Sequence, residues 1–327
     1  YEHIGYNYRM TDIQASIGLE QFKKIDQVAK SNGVEPTWKA FSEKFRGQGG
    51  SSGNIHDLAH LIGSLIYQDK SFSGITICSA EFAFGCYHGF LDTAFRSSLD
   101  DLKKAEEACG KLGTGGPAAS CIHGIGHGVA SYYSSSQLRP ALKSCLNLDQ
   151  RSREYCYDGV FMEFARSAPV SFYKKDDPYY PCSDLEKNFG PIYSFSCGRN
   201  QPSVLMSKFN IGFDEVADIC LKAASTPFKQ ACFDSLGFSL AGSADVNQII
   251  AGCQRISDPE YALRCLKAAA GELVFQEVPG WQQKSEAICS HLPGSDTSDV
   301  SSGVIPSLHI GSGREGGGQR EECFAHL

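Results

Sequence analysis

Five of the nine histidines in this 327-residue chain fall between positions 56 and 127: His56, His60, His88, His123 and His127. Two pairs, His56–His60 and His123–His127, are spaced H-x-x-x-H. That spacing puts two imidazoles on one helix face. Imidazole is the commonest protein ligand for transition metals, and nitrogen-rich ligation suits Zn, Fe, Cu or Ni. The five rings are therefore the candidate metal ligands. Asp57 and Glu163 are the candidate acid/base carboxylates, and Asp92 is a further oxygen donor nearby in register. The phrase His56-Asp57-x-x-His60 carries a shorter carboxylate than the zincin H-E-x-x-H, so it is not read as a metalloprotease. The chain has no P-loop or C-x-x-C-H haem-attachment phrase.

The elements that would position these rings are announced by cysteines. His88 and His123 each follow a cysteine in the same phrase, Cys86-Tyr-His88-Gly89 and Cys121-Ile-His123-Gly124. One series, Cys109, Cys145, Cys182, Cys220, Cys253 and Cys289, advances by 36, 37, 38, 33 and 36 residues. A second, Cys86, Cys121, Cys156, Cys197, Cys232 and Cys265, advances by 35, 35, 41, 35 and 33. A fixed period of about 36 is the signature of a helical-hairpin array. Turn signals, Thr226-Pro227 and Asp258-Pro259, separate the two series and pair a capping residue with proline at a helix start. The expected fold is an all-α, disulfide-clamped helical-hairpin repeat array over 50–292. It is analogous in architecture to the disulfide-clamped solenoids of the Sel1-like kind. Symmetry about the turns favours bridges 78–86, 109–121, 145–156, 182–197, 220–232 and 253–265. A rival scheme, 86–109 or 121–145, satisfies the spacing as well. Each bridge would stabilise by about 3 kcal/mol.

Three glycines in His123-Gly-Ile-Gly-His127-Gly128 weaken a helix and make sense where another backbone approaches closely. His88 and His123 hold the same slot in successive repeats, and Asp158 and Asp234 fill it further on. The prolines around 177–181 and at Pro202 predict a long loop in the Cys182–Cys197 repeat. The aromatics Tyr132, Tyr133, Tyr155, Tyr157, Phe161 and Phe164 read as core.

Hydrophobic content of 42% and charged content of 20% describe a globular chain. A net charge of −7 without a basic block argues against nucleic acid as a partner. No apolar run reaches the 18 residues of a membrane span. Fourteen cysteines without C-x-x-C spacing fit disulfides, and disulfides imply an extracytoplasmic compartment: periplasm, surface or medium. Residues 28–49 read as a polar linker. Residues 293–327 read as a disordered Gly/Ser-rich tail, with Cys323 unpaired and no site argument for His291, His309 or His326.

Residues 1–27 follow a different pattern. Gly5-Tyr6-Asn7-Tyr8-Arg9-Met10-Thr11-Asp12-Ile13-Gln14-Ala15, with Ile17-Gly18-Leu19 and Gln21-Phe22, resembles a segment of the DegT/DnrJ/StrS family of pyridoxal-phosphate sugar aminotransferases. The resemblance implies that Asn7 reaches the cofactor phosphate. It also implies that the Schiff-base lysine lies upstream of this segment, so pyridoxal phosphate is not expected to bind. It points to the cytoplasm, whereas the cysteines point outside it. The juxtaposition reads as a fused or truncated frame. Locally, Thr11 and Gln14 form a capping box ahead of an apolar stripe at Ile13, Ile17 and Phe22.

Three functions follow: a metal-binding repeat protein with hydrolase or redox chemistry at its histidines; a non-catalytic exported scaffold that takes a protein or peptide on its concave face; and a truncated, inactive sugar aminotransferase.

Overall fold

The computed structural model describes residues 23–46, 54–113, 116–275 and 278–292. They are helical throughout, with no strand among them. Residues 23–32 form α1, and α2 spans Val34–Phe45. Gly33, at φ 88°, makes the left-handed turn between them, a conformation open to glycine without steric cost. The segment expected as a polar linker is thus largely helix. Val34, Trp38 and Phe41 recur at helical spacing and are buried, and the rings of Trp38 and Phe41 pack on Phe82. Three apolar residues on one stripe are enough to dock a helix whose composition is otherwise polar.

The array follows. Short helices alternate with long ones: α3 (Asn54–Lys70), α4 (Gly85–Ala94), α5 (Leu102–Gly110), α6 (Gly116–Tyr132), α7 (Leu138–Ser144), α8 (Gln150–Ser167), α9 (Cys182–Phe189), α10 (Ser194–Phe209), α11 (Phe213–Lys222), α12 (Thr226–Ala241), α13 (Val246–Gln254), α14 (Pro259–Phe275) and α15 (Trp281–Cys289). The short members bury one stripe, as α11 does with Val216, Ala217 and Cys220. The long members are buried on most sides, as α12 is from Phe228 to Gly237. The long helices therefore form an inner layer, stacked in the order α3, α4, α6, α8, α10, α12, α14, and the short ones flank it.

Six disulfides, Cys78–Cys86, Cys109–Cys121, Cys145–Cys156, Cys182–Cys197, Cys220–Cys232 and Cys253–Cys265, each tie a segment to the inner helix that follows it. This is the turn-symmetric scheme, and the rival 86–109 and 121–145 pairs are not formed. Cys289 is also disulfide-bonded. Cys323 and the rest of the 293–327 tail lie outside the described residues, as do Asn7, the Thr11–Gln14 capping box and the Ile13, Ile17 and Phe22 stripe.

Glycines set how closely the inner helices approach. A Cβ at Gly63 would collide with the Cys86 carbonyl and one at Gly89 with that of His60, so α3 and α4 touch backbone to backbone. Gly126 against Cys156 and Gly159 against His123 do the same for α6 and α8. Between α4 and α6 the contact is mixed: Gly124 faces the Leu91 side chain, and Gly128 faces the Phe95 ring and the Leu91 carbonyl.

At the far end, Asp258 caps α14 by accepting from the Glu260 N–H at 2.9 Å, with Pro259 as the first helical residue. The Thr226-Pro227 signal also opens a helix, although no side chain caps it. The irregular repeat keeps a non-helical stretch at 173–181, but Pro202 lies inside α10 and does not end it. Burial of α10 between α8 and α12 outweighs the lost backbone bond. Tyr157, Phe161 and Phe164 are core as expected, whereas Tyr132 is exposed. Phe84, just before α4, meets Phe275, the last residue of α14, with ring centroids 4.5 Å apart. Five straight helix-to-helix steps would separate those helices by about 40–50 Å. The stack therefore curves until its two ends touch.

Candidate metal centre

The five histidines converge from three adjacent inner helices: His56 and His60 from α3, His88 from α4, and His123 and His127 from α6. Their nitrogens form two triads, His56/His60/His88 and His88/His123/His127, and within each triad the candidate atoms lie within 4.8 Å of one another. Ring centroids are 4.6 Å apart for His56–His60 and 4.9 Å for His123–His127. Those from His88 to His56, His60, His123 and His127 are 5.7, 5.3, 5.9 and 4.3 Å. Four-residue spacing supplies each pair, and the equivalence of the Cys86 and Cys121 repeats places His88 beside His123.

Most of the rings are held from behind through Nδ1. His127 Nδ1 lies 3.1 Å from Glu163 Oε2, and His123 Nδ1 lies 3.1 Å from Asp158 Oδ2. His56 Nδ1 donates to the Phe82 carbonyl at 2.8 Å. That carbonyl is presented by a turn in which Phe82, Ala83 and Phe84 all adopt positive φ. Three consecutive non-glycine residues in the left-handed region cost roughly 1–2 kcal/mol each. Strain of this kind persists where surrounding structure over-determines it. His60 Nδ1 is 3.9 Å from Asp92 Oδ2, near but beyond hydrogen-bond reach.

The inward edges therefore carry Nε2. His123 Nε2 and His127 Nε2 are 3.1 Å apart, and His56 Nε2 and His60 Nε2 are 3.0 Å apart. His88 is 6% exposed, and its Nε2 is buried with no hydrogen-bond partner. Burial holds His60 down to about 3 and His127 down to about 4, and it lowers His88 well below the usual histidine range, so these rings are neutral. Burial pushes the other way on Asp158, but Arg199, His123 and Asn200 outweigh it and bring the carboxyl to about 2. Glu163 is likewise lowered, its desolvation overcome by His127 and Arg166. Asp92 is raised to about 6 by burial, with Glu163 adding to it.

The consequence is chemical. Asp158 and Glu163 are ionised and can only accept. His123 and His127 must then donate through Nδ1, which turns their Nε2 atoms toward each other at 3.1 Å. Two rings on one ion have nitrogens roughly 2.9–3.4 Å apart and centroids about 5 Å apart, given metal–nitrogen bonds of 2.0–2.1 Å. Carboxylates or carbonyls behind the Nδ1 atoms are the usual support of ligating histidines.

Of the expected acid/base residues, Glu163 joins the cluster, but on the Nδ1 side of His127 and paired to Arg166 at 2.8 Å. Asp57 is exposed on α3, one residue and about 100° of helix away from the face that carries His56. Asp158 is legible in sequence as a slot residue but not as the partner of His123. The Arg199–Asp158 and Phe82–His56 contacts carry no local sequence signal, because each reaches across elements, whereas Arg166 stands one turn from Glu163 on α8. His291 sits at the end of α15 and bonds its own helix, Nδ1 to the Ala287 carbonyl at 2.9 Å.

Residues 1–60 match the model of the DegT/DnrJ/EryC1/StrS aminotransferase family, 60 of 327 residues. The match extends past the 1–27 phrase through α1 and α2 to His56 and His60 in α3. Among curated proteins and among solved structures, nothing matches the chain.

Proposed function

We propose that the chain is an exported, disulfide-clamped metalloprotein whose transition-metal centre is built from His56, His60, His88, His123 and His127. One observation carries this reading: the five imidazoles converge into two triads around His88, whose buried Nε2 has no partner, with His123 and His127 fixed from behind by carboxylates. A buried imidazole nitrogen without a partner is unfavourable unless a cation lies against it. Such an ion would supply Lewis acidity and an activated water, or a redox couple, and so hydrolase or redox chemistry. The chain's own residues do the positioning. Asp158 and Glu163 set the tautomers and offset the ion's charge, and Asp92, nearer the surface beside His60, stands where it can accept a proton. Metal content of the oxidised full chain, beside His123→Ala/His127→Ala, tests the reading. Loss of at least one ion per chain from the folded variant is the expected result. A folded, metal-free wild type after growth with Zn, Cu, Ni and Fe would overturn it and leave a binding scaffold.

A second reading, sugar aminotransferase, has the family match over residues 1–60 in its favour. Its cofactor residue, Asn7, lies outside the described residues. The described cluster offers neutral imidazoles and no primary amine, which does not fit a Schiff-base cofactor. No step through pyridoxal phosphate is derived. The absorbance band of bound pyridoxal phosphate in the purified chain is the observation that would revive this reading.

A further inference from the structure

We infer that the centre takes two cations and that His88 joins them, one at each ring nitrogen. The inference rests on the metal reading above and specifies its form. In the stack α4 lies between α3 and α6, so His88 has the His56/His60 pair on one side and the His123/His127 pair on the other. The two triads share His88 and nothing else. Each triad has an H-x-x-x-H pair with its Nε2 atoms at the spacing of ligands on one ion, 3.0 Å and 3.1 Å. His88 is buried, with its Nε2 unpartnered. An orphaned buried polar atom costs about 1–3 kcal/mol, which an ion at that nitrogen would remove.

A ring nitrogen has a single lone pair, so one atom of His88 cannot complete both triads. Filling both requires Nδ1 and Nε2 together. A neutral imidazole carries a proton on one of them. When the second cation binds, that N–H bond breaks, the proton leaves to solvent, and the freed electron pair forms the second metal–nitrogen bond. The resulting imidazolate carries one negative charge between the two cations. Asp92, Asp158 and Glu163 around the cluster supply further negative charge, opposed at close range by Arg166 and Arg199.

The test uses the full oxidised chain, stripped of metal and titrated with Cu(II). Two ions per chain are expected, with about one proton released on binding the second beyond any released by the first. The fully loaded protein is expected to show the weakened, exchange-coupled paramagnetic resonance signal of a bridged pair. His88→Ala, provided it folds, is expected to lose the coupling, and His123→Ala/His127→Ala to retain a single uncoupled ion. Saturation at one ion per chain, or two ions with uncoupled signals, overturns the bridge and leaves the metal centre standing. No bound ion overturns both.

Discussion

The position two residues beyond the second-series cysteine is His88 in α4, His123 in α6, Asp158 in α8, Arg199 in α10 and Asp234 in α12. The same backbone slot thus runs along the inner layer with different occupants in its two halves. In the α10–α14 half the slot closes on itself. Asp234 accepts from Arg264 at 2.6 Å, and Arg199 lies 3.7 Å from Asp158 and over the Phe238 ring. In the α3–α8 half the slot holds His88, His123 and Asp158: Asp158 stands 3.1 Å behind His123 Nδ1, and His88 Nε2 is buried without a partner. Buried polar groups in folded proteins are almost always partnered, so the orphaned His88 nitrogen, unlike the completed Asp234–Arg264 pair, is where the proposed ion would sit. The repeat supplies the position, and the residue in it decides between structure and chemistry.

Full reduction is the severest way to break this comparison. Six bridges at about 3 kcal/mol each exceed the 5–15 kcal/mol net stability of an ordinary domain. Thiol-treated protein is expected to lose its helical circular dichroism in both halves, and a helical, fully reduced chain would show that packing alone holds the array. Next in size is Arg264→Met, which strands a buried carboxylate and should cost roughly 3–5 kcal/mol in urea unfolding without changing metal content. Asp234→Leu/Arg264→Met should recover most of that loss. If Arg264→Met also released metal, the two halves would not be independent.

Backbone contacts come third. Gly159→Ala should cost roughly 1–3 kcal/mol, because the new methyl meets the His123 carbonyl. Gly110→Ala, at a site with open space, should be neutral or slightly stabilising. Similar melting temperatures for the two variants would contradict the close approach of α6 and α8. Glu163→Gln keeps the shape behind His127 and removes the charge. Metal affinity in a competition titration should fall about 10–100-fold with little change in stability. Asp57→Asn should leave metal affinity where it was, and a comparable loss there would move the acid/base role to the exposed side of α3.

Much of the architecture is legible in the sequence because it is local. The disulfide scheme follows from cysteines placed symmetrically about turns, and a helix pair joined by such a turn brings those positions together. The H-x-x-x-H pairs follow from the helical period, and the glycines of 123–128 announce close packing by their number alone. Trp38 escapes a sequence reading because its stripe is short and sits in polar surroundings. Asp57 resembles a site residue only because it adjoins His56, and adjacency in sequence is not adjacency on a helix face. Pro202 carries the local signal of a helix breaker, yet burial holds that helix together.

The sequence by itself determined the helical repeat and which residue types occupy the shared slot, and it favoured one bridge register without excluding its rival, since each depends on spacings within about one repeat. The tertiary structure decided that α4 lies between α3 and α6 and so gives His88 two neighbours, that Asp158 and Glu163 stand behind His123 and His127, and that Phe84 meets Phe275. These depend on the crossing and register of helices that share no local signal. A shift of one residue in that register would turn every one of these nitrogens to a different neighbour.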